Sequence, residues 1–444
     1  MKNILIAISG SLLIFTLAGC SQESTTQTTP AATANEPAVV DLTAENIPDA
    51  GFVIHNAKII DGMGGTIERG SIVVQGDRIV SVNAGESTVA GALYIDAEGR
   101  TLMPGLIDAH RHIITGDDPA DWLANQSAAD MQAFLEAGFT TLLSAGDPPQ
   151  QILELRRMTA ENEIQGPRII AASFTGLAAG GGPAGEGGDP ARFDIARPPL
   201  RPAEPAQALP EQVVRGQVQT LFDNGFDAAK NVLIVTPNGP EEAALGMMVE
   251  ETRRLGIRTI THAVTVIDTM AAVRAGVDQL VHTPHIGMLT LEEAQQIADS
   301  GIPMTSTLGI FVPFYDATND PIFRDALPFP WDTISSAGQG PVNARLLWEA
   351  GVVYGFGTDT TYAPALTLKH ELKSLFLVFS EADILRIMGL NAAVNVAMED
   401  QIGTLEAGKI ADLILEDGDP ETDIFDLLDV DVVAKNGRFV VDKR

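Results

Sequence analysis

Between about residue 104 and residue 399 the chain repeats one unit, a short apolar run followed by a loop and an amphipathic stretch, and this alternation constrains its fold most. The runs include Thr140–Ser144, Arg168–Ala171, Ala228–Val235, Thr259–Thr261, Gln279–Val281 and Val352–Phe356, while Glu241–Leu255 and Val266–Ala275 carry helical periodicity. Near-continuous apolar strands linked by helices are buried on both faces, which requires a parallel sheet. About eight such units in roughly 290 residues predict an α/β chain built on a (β/α)8 TIM barrel. A doubly wound sheet is the rival, but no glycine-rich dinucleotide loop follows the first strand.

The flanks, residues 47–103 and 400–444, read differently. Phe52–Ile54, Ala57–Ile60, Ser71–Val74 and Arg78–Val82 are short strands separated by turns such as Asp61-Gly62 and Gly76-Asp77. Asp412–Leu415, Val430–Ala434 and Arg438–Val441, with a turn at Asn436-Gly437, return to that style. Gly and Asn supply the positive φ that tight turns need, so both flanks are predicted as β structure. One stretch breaks the barrel rhythm: from Thr175 to Pro210 glycine and proline dominate, and a loop of that length after a barrel strand is expected to form a lid or substrate wall.

The amino terminus carries a different message. Lys2 precedes an apolar run from Ile4 to Leu17, which is shorter than the ~20 residues of a membrane-spanning helix and suits a signal peptide. Leu17-Ala18-Gly19-Cys20 resembles the lipobox of bacterial lipoproteins, so residues 1–19 are expected to be removed and Cys20 acylated. Residues 20–46, rich in Ser, Thr, Gln, Ala and Pro, are expected to be a flexible tether. The protein would then be exported and held to a membrane by its lipid, on the periplasmic face of the outer membrane if the cell is Gram-negative. Cys20 is the sole cysteine, which excludes an intramolecular disulfide. A formal charge of −31 sets the chain against nucleic acid, because phosphates would meet a repelling field.

The chemistry concentrates in Met103-Pro104-Gly105-Leu106-Ile107-Asp108-Ala109-His110-Arg111-His112. Strand alternation points His110 and His112 the same way, where both can ligate one cation. The whole run resembles the first barrel strand of the amidohydrolase superfamily. The tail from Gly403 through Leu413 resembles that family's return to a small β-sandwich, so the resemblance spans roughly residues 50 to 444, with the flanks expected to pair into that sandwich. Within the family, Gly225–Lys230 and the ligand set look most like the imidazolonepropionase-like and prolidase-like branch.

The resemblance implies the rest of the centre. Lys230 looks like the lysine that is carbamylated and shared by two divalent cations, His262 and His282 like the ligands of the second cation, and Asp359 like the final-strand aspartate that joins His110 and His112 on the first. Histidine and carboxylate donors suit zinc. Two cations lower the pKa of a shared water and polarise a carbonyl, and Asp359 would take the water proton and pass it to the leaving group. The expected reaction is hydrolysis of an amide or peptide bond in a small-molecule substrate, a dipeptide or N-acyl amino acid. Opening of a lactone or cyclic amide, or attack on a phosphotriester, uses the same water and is the nearest alternative. A deaminase fits less well, because Ala263-Val264-Thr265 follow His262 where such enzymes place a glutamate. A non-catalytic binding lipoprotein is the remaining alternative, but each ligand position is filled.

Arg111, His285 and Tyr362 are candidates for substrate contact. Alternation turns Arg111 out of the barrel, so its role requires a twisted strand end. His285 and Tyr362 lie near ligands in sequence, and a structural role competes for each. Whether the chain forms a homo-oligomer is not fixed by its sequence.

Overall fold

A computed structural model describes residues 41–179, 204–311 and 334–444. The expected signal segment, Cys20, the tether as far as residue 40, and residues 180–203 of the glycine- and proline-rich stretch lie outside the described residues.

Eight parallel strands run in chain order around one sheet: β1 (Leu106–Arg111), β2 (Phe139–Ala145), β3 (Arg168–Phe174), β4 (Ala228–Val232), β5 (Arg258–His262), β6 (Gln279–Val281), β7 (Met304–Thr305) and β8 (Tyr354–Gly355). The sheet closes through single bonds: the Ala109 N–H donates to the Phe356 carbonyl at 3.0 Å and the Asp359 N–H to that of His110 at 2.8 Å. All residues of β2 are buried, as expected for a strand covered by side chains inside and helices outside. The predicted helices Glu241–Leu255 and Val266–Ala275 have those bounds. Gly256 and Gly276 end them in left-handed backbone, with φ of 78° and 75°, which costs glycine no Cβ clash.

The flanks form one mixed sheet and not two separately paired ones. Its order is Arg438–Asp442, Val430–Lys435, Leu413–Glu416, Thr101–Pro104, Phe52–Ile60, Thr66–Gln75 and Arg78–Ala84, with Leu93–Asp96 beside Phe52–Ile60. The sheet curls over itself. Phe439, on one edge strand, packs with its ring centroid 4.8 Å from that of Phe52, four strands away in the order, and the Ile79 N–H reaches the Lys409 carbonyl at 2.9 Å. Alternation then supplies two cores. Leu413, Leu415, Val432 and Ala434 face the interior of the curl, whereas Ile414 and Val433 face the barrel. Each of these leucine, isoleucine and valine side chains contributes about 1.5–3 kcal/mol on burial. The expected sandwich is thus a folded-over single sheet.

Order also begins earlier than the tether expectation allowed. Leu42 is buried in the flank core, and its N–H donates to Asp442 Oδ2 at 2.8 Å.

Candidate metal centre and active site

The site lies at the carboxyl ends of the barrel strands. β1 carries Asp108, His110 and Arg111, with His112 just past its end, and its pairing with β2 is irregular between Asp108 and Arg111. The buried Asp108 carboxylate accepts from the Thr358 hydroxyl at 2.6 Å, the Thr358 N–H at 3.1 Å and the His110 N–H at 3.2 Å. It therefore ties the first strand to the residue preceding Asp359. Burial raises the Asp108 pKa to about 6, against the opposing pull of Arg111 and the Thr358 hydroxyl. Asp147, just after β2, accepts from the N–H groups of Ile113 and Ile114 at 3.0 Å and from Ser144 Oγ at 2.7 Å, fixing the turn that follows His112.

Asp359 is the hub. Its Oδ1 lies 3.1 Å from His110 Nε2 and 3.2 Å from His112 Nε2, and its Oδ2 lies 3.8 Å from His282 Nε2. Burial opposes its ionisation, but the His110 and His282 imidazoles and the bonds from His110 and His112 outweigh that and hold it well below the usual carboxylate range. Lys230 Nζ, from β4, lies 3.1 Å from His110 Nε2. The lysine is buried, and burial lowers its pKa to about 7 despite the Asp359 charge. His262, at the end of β5, meets His282 edge to face with ring centroids 4.2 Å apart, and His282 approaches His110 at 5.3 Å. Burial, followed by the Lys230 charge, draws His110 and His262 to about 3. Burial likewise holds His282 well below its ordinary value. These are neutral imidazoles, the form that ligates metal.

The six expected ligands, His110 and His112 from the strand pattern and the other four from the resemblance, are therefore neighbours in one cluster. The donor set fits a divalent cation on two observations. Ligand atoms of His110, His112 and Asp359 all lie within 4.8 Å of one another. In addition, His282 Nε2 is buried with no hydrogen-bond partner among the described residues, while its Nδ1 lies 2.7 Å from Thr307 Oγ1. A buried lone pair without a partner is costly, and a cation satisfies it.

The three substrate candidates separate. Arg111 is buried and holds structure: its guanidinium donates to Thr367 Oγ1 at 2.9 Å, to Thr358 Oγ1 at 3.2 Å and to the Tyr362 carbonyl, and it lies over the Phe134 ring at 5.0 Å. Committed to that outer layer, Arg111 is withdrawn as a substrate ligand. His285 is buried and stacks on Phe311 with centroids 3.8 Å apart, so it borders the cluster through Phe311, which itself edges His282 at 5.4 Å. Tyr362 is exposed.

Sequence reasoning missed Asp108, Asp147, Thr307 and Glu371. Asp108 was accessible to it, sharing the parity of the two histidines. Glu371 sits on the helix Pro364–Leu375 and braces the turn after β7. No spacing links it to that turn, 62 or more residues earlier.

Comparison with known proteins identifies the family and the fold. The sequence profile of the amidohydrolase family matches residues 101–440. Imidazolonepropionase of Shouchella clausii is 23% identical, over 85% of this chain and 87% of its own length. The 5-methylthioadenosine/S-adenosylhomocysteine deaminase of Symbiobacterium thermophilum is 25% identical over 85% and 90%. The solved structure of a Xaa-Pro dipeptidase with methionine bound in its active site superposes with a TM-score of 0.68 at 25% identity, covering 88% of this chain and 99% of that one. The chain belongs to the amidohydrolase family and is a hydrolase, in a family whose named members act on carbon–nitrogen bonds.

Proposed function

We propose that this hydrolase cleaves the amide or peptide bond of a small substrate, a dipeptide or N-acyl amino acid, at a pair of divalent cations, with zinc the expected metal. The observation that carries the reading is the buried Lys230 amine 3.1 Å from His110 Nε2, beside a carboxylate spanning His110, His112 and His282. An ammonium has no favourable place next to two cations. A neutral amine does, because it adds to carbon dioxide, forming an N–C bond and releasing a proton, and the resulting carbamate is an anionic ligand.

His110, His112 and Asp359 would hold one cation, His262 and His282 the other, and carbamylated Lys230 both. Bound there, the pair would supply Lewis acidity that lowers the pKa of a water and polarises the scissile carbonyl. The remaining work is done by side chains. Asp359, ionised throughout the neutral range, accepts the water proton on the oxygen not engaged with His110 and His112, and returns it to the departing nitrogen. Asp108 and Asp147 keep the two ends of that reaction in register through the backbone bonds described above.

The deaminase among the relatives does not redirect this reading, since Ala263-Val264-Thr265 offers no carboxylate after His262. The test is metal content per chain together with a panel of dipeptides, N-acyl amino acids, lactones and phosphotriesters. Close to two cations and cleavage of the amide substrates is the expected result. Turnover confined to lactones or phosphotriesters would reassign the bond, and one cation or none in an active preparation would end the two-cation mechanism.

We also propose that the enzyme is exported and anchored through acylated Cys20, facing the periplasm from the outer membrane in a Gram-negative cell. The support is the Leu17–Cys20 motif after a short apolar run. Labelled palmitate should enter the full-length protein made in a bacterial host and not its Cys20→Ala variant; equal labelling of both would sink the anchor.

A further inference from the structure

We infer that Thr307 and Glu371 are positioning residues for the second cation, forming a relay that fixes the orientation and tautomer of His282. The inference rests on the two-cation reading above and assigns residues that nothing in the ligand motif contains.

His282 leaves β6 in left-handed backbone, with φ of 75°, so its ring is not aimed by the regular strand. Its Nδ1 lies 2.7 Å from Thr307 Oγ1, and its buried Nε2 has no hydrogen-bond partner among the described residues. For Nε2 to offer a lone pair to a cation, the ring proton must reside on Nδ1 and be donated to Thr307 Oγ1. The reverse arrangement, with the Thr307 hydroxyl donating to Nδ1, would put an N–H where the cation belongs. With a cation on Nε2, Thr307 thus acts as the acceptor that holds the ring in its ligating tautomer and orientation.

Thr307 is itself held in an unusual state. A β-branched residue at a φ of 46° is a rare outlier, and it persists only where its surroundings over-determine it. Those surroundings are explicit. The Ser306 N–H donates to the Gly355 carbonyl at 2.8 Å and the Thr307 N–H to that of Gly357 at 3.1 Å. The buried Glu371 carboxylate then clamps both sides of the turn. Its Oε1 accepts from Ser306 Oγ at 2.5 Å and from the Leu308 N–H at 2.9 Å, and its Oε2 accepts from the Gly309 N–H at 2.6 Å. A Cβ at 309 would stand 2.9 Å from Glu371 Oε2, so a side chain there would push the carboxylate away from these donors. Three donors bracketing one residue fix its side chain, and that side chain fixes His282.

The experiment strips the full chain of cations and titrates it with cobalt(II) against a competing chelator, following visible absorption. Thr307→Val keeps the shape and branching of threonine and removes the acceptor. It should weaken the second binding step about 10–100-fold while leaving the first within about threefold, the size of effect usual for removing an outer partner of a ligand histidine. Thr307→Ser should restore the second step, and Glu371→Gln should weaken it by about tenfold. Circular dichroism and melting confirm that each variant is folded. Two ions in the wild type with an unchanged second step in Thr307→Val would overturn the relay alone. Equal weakening of both steps without rescue by serine would reduce the two residues to general scaffolding and overturn it too. A wild type that takes up a single cobalt ion would overturn the two-cation reading, and the relay with it.

Discussion

Replacing Asp359 by asparagine is expected to lower kcat about 10³-fold, the middle of the range for loss of a positioned proton carrier and equivalent to roughly 4 kcal/mol of barrier. The amide has the size of the carboxylate and can fill the same space between His110, His112 and His282, but it has no basic oxygen to accept a water proton. Two consequences separate this loss from simple loss of metal. The imidazoles of His110 and His112 now face a neutral group, so the first cation should bind more weakly, and kinetics are therefore measured at saturating zinc. With occupancy restored, kcat should stay low while KM changes little, because the missing interaction belongs to the transition state. Wild-type kcat/KM should show no acidic limb from Asp359 itself between pH 5 and pH 9, since its pKa is held well below the usual range by His110 and His282 in spite of burial. A fully metallated Asp359→Asn enzyme within about tenfold of wild type would remove Asp359 from proton transfer and leave it a ligand only.

How far the sequence carried this centre depends on the scale of the signal. His110 and His112 were legible because a strand's two-residue period is set by backbone geometry, and the helix bounds at Leu255 and Ala275 were legible because Gly256 and Gly276 stop a helix by conformation. Lys230, His262, His282 and Asp359 were found through resemblance and not through spacing, since each is one polar residue at the end of a different strand. Strand β7 escaped altogether: Met304–Thr305 is two residues long and follows Pro303, so no apolar run announces it. Missing that strand also hid Thr307 and the turn braced by Glu371. Arg111 failed for a different reason. A basic residue between two ligands invites a functional role, but the guanidinium is taken up by Thr358, Thr367 and the face of Phe134. The flank sheet was predicted strand by strand, yet its curl follows from non-local contacts such as Phe52 on Phe439, which local patterning does not encode.

Lys230→Ala is expected to lose both cations at ordinary metal concentrations and to fall at least about 10³-fold in rate, because it removes the only proposed ligand common to the two metal positions and with it several kcal/mol of charge stabilisation. The lysine is buried beside His110 Nε2, so alanine leaves a cavity at the centre of the site and not a gap at its rim. That cavity makes a direct chemical test available. A short carboxylate such as propionate supplies the two oxygens of a carbamate without the tether, and millimolar additions should restore part of both metal content and rate, whereas propylamine should restore neither. The wild-type protein offers the complementary observation. Burial brings the Lys230 amine to about 7, so the uncharged fraction that can add to carbon dioxide rises about tenfold between pH 6 and pH 8. Metal-free enzyme given zinc and bicarbonate should therefore recover activity faster as the pH climbs through that interval, and should recover slowly when carbon dioxide is excluded. Melting curves on Lys230→Ala and on Lys230→Met, which refills the apolar volume of the lysine stem, distinguish loss of ligand from loss of fold. If Lys230→Ala kept two cations and its full rate, the lysine would be a buried structural amine, and the centre would have to be rebuilt on the histidines and Asp359 alone.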